Sequence, residues 1–286
     1  MTAIAQLSDI HFGSESDGAA AQLVDAINRE PLDLVILSGD LTMAARRREF
    51  ELAREFIDAL KAPTFCVPGN HDITPYQLAE RFGAPYRRWR KYVSEELEPV
   101  WQNTDVAVVG LNTARRMRLQ LDWSHGTVSR KQISRLGGRF DALDETPFRI
   151  VVAHHPFLAE ETDDLGVRPR VMVKRATEAL EAFCDARVDL VLAGHLHRTY
   201  AAAYEGEDVP APETGVTAGE VLAEAETARH RVTTIQAGTA LSARTRGEEN
   251  SFNRIDIEDG AMRVHAVVLG EDGWRRAAVP LVTVSR

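Results

Sequence analysis

Short apolar runs alternate along the chain with stretches in which apolar residues recur every three or four positions. Residues 4–7, 34–37, 64–67, 106–109, 150–153 and 190–193 are runs rich in Val, Ile and Leu. Continuous apolar runs this short predict strands covered on both faces. Between them, Phe50, Ala53, Phe56, Ile57 and Leu60 share one helical face. Ile133, Leu136, Phe140 and Leu143 do the same, as do Met172, Ala176, Ala179, Leu180 and Phe183. Alternation of this kind predicts an α/β layered fold, with residues 1–286 read as one domain.

Beyond His197 the pattern changes. Residues 231–236, 252–257, 262–269 and 279–284 predict strands joined by turns, and Glu258-Asp259-Gly260 predicts a hairpin turn. These C-terminal strands (231–286) are expected to form a second, antiparallel sheet packed on the first. Residues 203–229, rich in Ala and Glu, read as an insertion. It is an arm over the site, a contact with a second subunit of a homo-oligomer, or a disordered segment.

Composition narrows the function. With 44 % hydrophobic and 27 % charged residues, the chain has enough apolar material for a real core. A net charge of −9 repels a polyanion, which disfavours an enzyme gripping long nucleic acid and favours a small-molecule partner. Cys66 and Cys184 sit in or beside apolar runs and are expected to be buried free thiols. The first strand begins almost at Met1 with no basic segment ahead of it, and no run is long enough to span a membrane. The expected location is the cytoplasm.

The chemistry lies where the strands stop. The first strand runs into Ser8-Asp9-Ile10-His11, the second into Ser38-Gly39-Asp40, and the third into Pro68-Gly69-Asn70-His71-Asp72. Later strands meet His154-His155-Pro156 and Gly194-His195-Leu196-His197. Open α/β sheets place ligands at such carboxyl ends. If the backbone stays extended, Asp9 and His11 point the same way, and so do His195 and His197. Each cluster alone has a bland explanation: a turn, a helix cap, a satisfied core histidine. Convergence of all five at strands lying side by side does not, because unpaired buried polar groups are costly. Imidazole mixed with carboxylate and amide oxygen, without thiolate, suits Mn, Fe, Co, Ni or Zn. The number of donors exceeds the needs of one ion, so two are expected, clamping a phosphoryl group between them.

In order, Asp9-x-His11, Gly39-Asp40, Gly69-Asn70-His71-Asp72, His154 and Gly194-His195-Leu196-His197 resemble the calcineurin-like metallophosphoesterase superfamily. The resemblance implies a four-layer αββα sandwich of two mixed sheets with a dinuclear centre. It implies that Asp9, His11, Asp40 and His197 hold one metal ion (Mn, Fe, Zn or Co) and that Asp40, Asn70, His154 and His195 hold the other, Asp40 bridging. His71 then faces the substrate as a catalytic residue, Asn70 lies against the substrate as well, and Asp72 orients His71. The family's ligand position two residues before the proline selects His154, and His155 is expected to point to the opposite face.

Departures from the superfamily's branches narrow the substrate. Purple acid phosphatases carry a tyrosine ligand where this chain has Met43, and protein Ser/Thr phosphatases carry Asn-His-Glu in place of Asn-His-Asp. The motifs look most like small bacterial phosphodiesterases, either class III cyclic-nucleotide phosphodiesterases or glycerophosphodiesterase-like enzymes. The expected substrate is therefore a small soluble phosphodiester, a cyclic nucleotide ahead of a glycerophosphodiester. Phosphomonoesters, nucleotide pyrophosphates and a metal-free scaffold are the rivals. Asn112 is a candidate substrate contact or a turn residue. Arg115, Arg116, Arg118, Arg244 and Arg246 are candidate phosphate cations or solvated charges. Tyr86-Arg87-Arg88-Trp89-Arg90-Lys91-Tyr92 suggests nucleic-acid stacking or, more plainly, an amphipathic helix covering the site.

Overall fold

In chain order, β1 (Thr2–Leu7), α1 (Ala19–Ile27), β2 (Leu34–Leu37), α2 (Arg47–Ala59) and β3 (Thr64–Cys66) form a first parallel unit. Two short helices, α3 (Leu78–Gly83) and α4 (Arg87–Tyr92), lead to β4 (Val100–Gln102) and β5 (Val106–Gly110). The second unit continues with α5 (Arg130–Asp141), β6 (Phe148–Val152), α6 (Ala176–Asp185) and β7 (Leu190–Ala193). The chain closes with β8 (Tyr200–Glu205), β9 (Arg231–Gln236), β10 (Ser251–Glu258), β11 (Ala261–Gly270), β12 (Gly273–Arg276) and β13 (Val282–Ser285). This computed structural model describes residues 1–16, 18–115, 125–158, 173–206, 230–242 and 247–286. Met172, Arg116, Arg118, Arg244, Arg246 and residues 207–229 of the predicted arm lie outside the described residues.

The strands form two mixed sheets. One runs β12-β11-β10-β1-β2-β3, with β13 also paired to β11, and the other runs β4-β5-β6-β7-β9-β8. Strands β1, β2 and β3 are mutually parallel, as are β5, β6, β7 and β9. Between the sheets lies a hydrocarbon layer that includes Ile4, Ile36, Phe65, Val108, Ile150, Leu192, Ile255 and Val264. On the outer face of the first sheet, Leu23, Phe50, Phe56 and Ile57 pack from α1 and α2. On the outer face of the second, Leu136, Phe140, Leu180 and Phe183 pack from α5 and α6. Because both faces of the central strands are covered, their sequences are apolar throughout. The result is the expected four-layer αββα sandwich.

Two expectations about topology need correction. The C-terminal strands do not form the second sheet: only β9 joins it, and β10–β13 extend the first sheet on its antiparallel side. There β10 pairs with β1 from Thr2↔Ile257 to Gln6↔Asn253. Alternation records that a strand has a buried face but not which free edge it finds. The five ligand-bearing strands also do not lie side by side, since β1, β2 and β3 are in one sheet and β6 and β7 in the other. Their carboxyl ends meet across the seam.

The hairpin turn between β10 and β11 is as expected, with Asp259 and Gly260 both left-handed at φ 51° and 71°, the arrangement tight two-residue hairpins require. Helix α4 forms where the aromatic-basic stretch predicts a helix. It packs on α2, however, with the Tyr92 ring stacked on Phe50 at 6.1 Å and Trp89 fully buried, instead of covering the ligand loops. Cys66 and Cys184 are buried free thiols, and burial pushes Cys66 up to about 12. Among the described residues no helix is long and apolar enough to cross a membrane.

Candidate metal centre

Near the carboxyl ends of β1 and β7 the layer between the sheets turns from hydrocarbon to hydrogen bonds. Gln6 donates to Ser38 Oγ (3.2 Å) and to the Ala193 carbonyl (3.0 Å), and Asn253 donates to Gln6 Oε1 (2.9 Å). Above this polar floor the loops leave their strands abruptly. Asp9, His11, Asp40, His195 and His197 all adopt left-handed backbone, with φ between 53° and 78°. Residues other than glycine rarely occupy this region, and when they do the strain clusters at functional sites. Convergence therefore does not come from extended strands presenting alternate side chains, as the sequence suggests. It comes from paired left-handed kinks at positions i and i+2 that turn both side chains toward the seam.

The kinks bring the loops so close that glycine is obligatory at positions 69 and 194 among others. A Cβ at Gly194 would overlap Ser8 Oγ and the Asp9 carboxylate, and one at Gly69 would overlap the Asp40 carboxylate and amide. The glycines of Gly69-Asn70 and Gly194-His195 are thus steric consequences of the ligand packing.

Within this space the donor atoms form overlapping groups. Asp9, His11 and His197 have ligand atoms within 4.8 Å of one another, and so do Asp9, Asp40 and His154. His197 Nε2 lies 3.2 Å from Asp9 Oδ1, and His11 Nε2 lies 3.6 Å from the same oxygen. Asp40 Oδ2 stands 3.2 Å from His154 Nε2 and 3.9 Å from His11 Nε2, between the two groups. Yet Asp9 Oδ1, Asn70 Oδ1 and His154 Nε2 are buried without a hydrogen-bond partner. Close approach without donor–acceptor alignment is what ligand atoms show when they aim at a common third atom. These orphaned atoms, all oxygen or imidazole nitrogen, fit divalent metal ions.

The remaining polar atoms are satisfied so as to fix orientation. Asp9 Oδ2 accepts from Ser8 Oγ (2.6 Å) and the His195 amide (2.8 Å), and Asp40 Oδ1 accepts from the His71 amide (2.8 Å). His154 Nδ1 donates to the Ser38 carbonyl at 2.9 Å, which leaves Nε2 toward Asp40. Metal-binding histidines are commonly held in this way.

The charges follow from the same packing. Burial pushes the Asp9 carboxyl up, but His11 and His197 outweigh it and hold it well below the usual range. Asp40 is likewise lowered against its burial by the charges of His154 and His71. Burial disfavours the His154 imidazolium, but Asp40 overcomes this and raises it to about 9. Desolvation and the His154 charge drive His195 down to about 3. A metal ion needs neutral imidazole, so if His154 and His195 take up an ion at pH 7.5, His154 would lose a proton and His195 none. Titrating the chelator-stripped protein with Mn²⁺ at pH 7.5 is expected to release about one proton or more per chain, and metal affinity should rise with pH up to about 9. Calorimetry in buffers of different ionisation enthalpy measures both, and proton-neutral uptake would contradict this picture.

Three expectations are corrected here. Asp72 does not orient His71: its carboxylate accepts from Thr42 N (3.0 Å), Thr42 Oγ1 (3.1 Å) and Gly69 N (2.9 Å), clamping the two ligand loops together. Burial and the Asp40 charge raise Asp72 to about 6. His71 is oriented instead by the Met43 carbonyl, which accepts from Nδ1 at 2.6 Å. A backbone acceptor leaves no trace in side-chain spacing, so this contact could not be read from sequence.

Asn112 has the turn role: its Oδ1 accepts from the Ala114 amide (3.0 Å), and its carbonyl is held by Arg115 and Gln132. Arg115 is occupied within that network.

His155 does not point away from the centre. Its ring lies 4.8 Å from that of His154 and 4.6 Å from that of His195, and Nδ1 is 2.8 Å from Thr113 Oγ1. It is the site residue that the sequence analysis missed. Its position beside His154 was a signal, but strand alternation, assumed to persist past β6, argued against it.

Comparison with known proteins agrees with this geometry. The profile of the calcineurin-like phosphoesterase family matches residues 2–199. Over 217 residues, 69 % of this chain and 74 % of the relative, the sequence is 27 % identical to a probable cyclic nucleotide phosphodiesterase of Synechococcus sp.. A stretch of 80 residues, 24 % of this chain and 29 % of the relative, is 35 % identical to the glycerophosphodiester phosphodiesterase GpdQ of Enterobacter lignolyticus. Among solved structures, a purple acid phosphatase from yellow lupin superposes with a TM-score of 0.68 at 12 % identity, covering 100 % of this chain and 54 % of the lupin chain. At that identity the likeness concerns the fold alone. With its two-sheet sandwich, its seam of Asp and His clusters and a profile match over most of its length, the chain belongs to the calcineurin-like phosphoesterase family.

Proposed function

We propose that the protein is a two-metal phosphodiesterase of the cytoplasm that hydrolyses a small soluble diester, a 3′,5′-cyclic nucleotide ahead of a glycerophosphodiester. The observation that carries this reading is the set of buried, unpartnered ligand atoms on Asp9, Asn70 and His154 at the seam. Asp9, His11, Asp40 and His197 would hold one ion and Asp40, Asn70, His154 and His195 the other. Asp40 would serve both, a reading supported by its Oδ2 standing 3.2 Å from His154 Nε2 and 3.9 Å from His11 Nε2. Mn, Fe, Zn and Co all suit this oxygen and imidazole set. Two such ions, when bound, supply a water of lowered pKa and neutralise charge on the phosphoryl oxygens.

The chain's own groups do the rest. His71 is half-buried, borders an open cleft, and lies edge-on to the His11 ring at 4.9 Å. The Met43 carbonyl can only accept, so Nδ1 carries a proton and Nε2 is the atom presented for exchange with substrate. That placement suits proton donation to a leaving alkoxide. The diester preference draws on the names of the relatives and on Met43, a residue that offers no phenolate.

The direct test is turnover by the Mn-loaded protein of cyclic AMP, glycerophosphoethanolamine, bis-p-nitrophenyl phosphate and p-nitrophenyl phosphate. Diesters are expected to be cleaved faster than the monoester at neutral pH, and a strong monoester preference would move the protein to the phosphatase reading. Elemental analysis tests the ligand assignment: Asp40→Ala should lose both ions, and Asn70→Ala should weaken mainly one. Two retained equivalents in Asp40→Ala would rule out bridging.

His71→Ala should keep both ions and lose about 10²–10⁴ in kcat, as typical for a positioned acid or base. The loss should be large for an alkoxide leaving group and small for p-nitrophenolate, which departs without a proton. Equal losses on the two substrates would instead assign His71 to charge stabilisation.

A further inference from the structure

We propose that the cleft beside Asn70 and His71 is a nucleobase subsite, with the exposed Tyr76 ring as its stacking platform. The proposal rests on the diesterase reading and narrows its substrate to a nucleotide. The cleft encloses about 290 Å³, and its lining includes Met43, Arg46, Asn70, His71, Tyr76 and Arg81. Asn70 and His71 belong both to this cleft and to the candidate metal centre. A phosphoryl group at the centre therefore sends one of its substituents into the cleft. The volume is close to the lower bound of the range of about 300–1,000 Å³ typical of small-molecule sites, which suits a group the size of a nucleobase.

Tyr76 is 72 % exposed and does not hold the fold together. Among the described residues its ring has no aromatic neighbour, and no hydrogen bond reaches its hydroxyl. The exposure is not isolated. Six large hydrophobic residues are exposed among those described, and three of them, Tyr76, Leu78 and Phe82, fall within one short stretch following the Asn70-His71-Asp72 loop. An aromatic ring left open to water at the lip of a reaction cleft is a surface on which a flat π system gains stacking energy.

Charge separates a nucleobase from the other diester substituents. A glycerol group has no flat face to place on Tyr76. A choline or ethanolamine head could use the ring through its cation, but the lining carries two guanidinium groups, Arg46 and the buried Arg81, against one carboxylate, Glu49, and so disfavours a second cation. The carboxylate among the lining residues, Glu49, is already engaged. Its Oε2 accepts from the amides of Ala44 (2.8 Å) and Arg46 (3.0 Å), and Oε1 lies 3.8 Å from Arg46 Nε. With Arg46 and Glu49 paired, Arg81 leaves the lining with a net positive charge beside the Tyr76 ring, which favours an anionic nucleotide over a cationic head group.

The test compares binding of 5′-AMP and of ribose 5-phosphate to the metal-loaded protein by calorimetry, since the two ligands differ by the base alone. Wild type is expected to bind AMP about 5- to 150-fold more tightly, the range of one aromatic–base stack. Tyr76→Ala should erase most of that difference while ribose 5-phosphate affinity stays within about twofold, and Tyr76→Phe should retain it.

Equal affinities in wild type, or a difference that survives Tyr76→Ala, overturn the subsite. So does a Tyr76→Ala variant that changes sedimenting mass and leaves the AMP preference intact, because the patch is then a contact between proteins. The comparison needs no turnover. A preserved AMP preference in a protein that cleaves no diester supports the subsite and removes the diesterase reading instead.

Discussion

Asp9 and Asp40 hold their carboxylates out of water where the two sheets meet, and most of the surrounding structure answers that constraint. A buried anion without compensation costs several kcal/mol. Each carboxylate here has one oxygen tied to backbone or hydroxyl donors and the other facing histidine rings. The backbone donors come from loops that must approach within touching distance, which requires Gly69 and Gly194. The rings are anchored in turn, as His154 is by the Ser38 carbonyl across the seam. The buried charge, the glycines and the cross-sheet bonds form one problem with one solution.

The same constraint explains how far the fold and site were legible in the sequence. Apolar runs of four or five residues mark strands buried on both faces, so β1, β2, β5, β6 and β7 were plain. The helical faces of α2 and α5 were equally plain. Alternation could not say that β10 pairs with β1 instead of building another sheet, because edge choice is decided by packing at a distance. At the site, the types and order of Asp9, His11, Asp40, Asn70, His154, His195 and His197 were legible, since buried polar residues at strand ends need a reason. Their orientation was not. Left-handed turns at five of these residues replace the alternation that a strand would give. The same assumption placed His155 on the wrong side.

Roles carried by backbone atoms were the least visible. The Met43 carbonyl orients His71, and Asp72 spends both oxygens on Thr42 and Gly69. In each case a side chain near the motif suggested a side-chain partner, and the structure used the main chain. An enzyme with a net charge of −9 must also attract an anion locally. The cleft beside Asn70 carries two guanidinium groups, Arg46 and Arg81, and one carboxylate, Glu49, so its local charge is opposite in sign to that of the body.

The left-handed ligand residues also bear on how such a site is lost over generations. Each carries a side chain in a conformation that costs about 1–3 kcal/mol relative to relaxed backbone. Glycine at His11, His195 or His197 relieves the strain, whereas at Asp9 or Asp40 it would also leave buried donors and histidine rings without their acceptor. A lineage freed from selection for hydrolysis would therefore relieve backbone strain through substitutions of these histidines, which remove candidate metal-ligating groups. The five left-handed residues Asp9, His11, Asp40, His195 and His197 thus differ in how readily drift would replace them, the three histidines ahead of the two carboxylates.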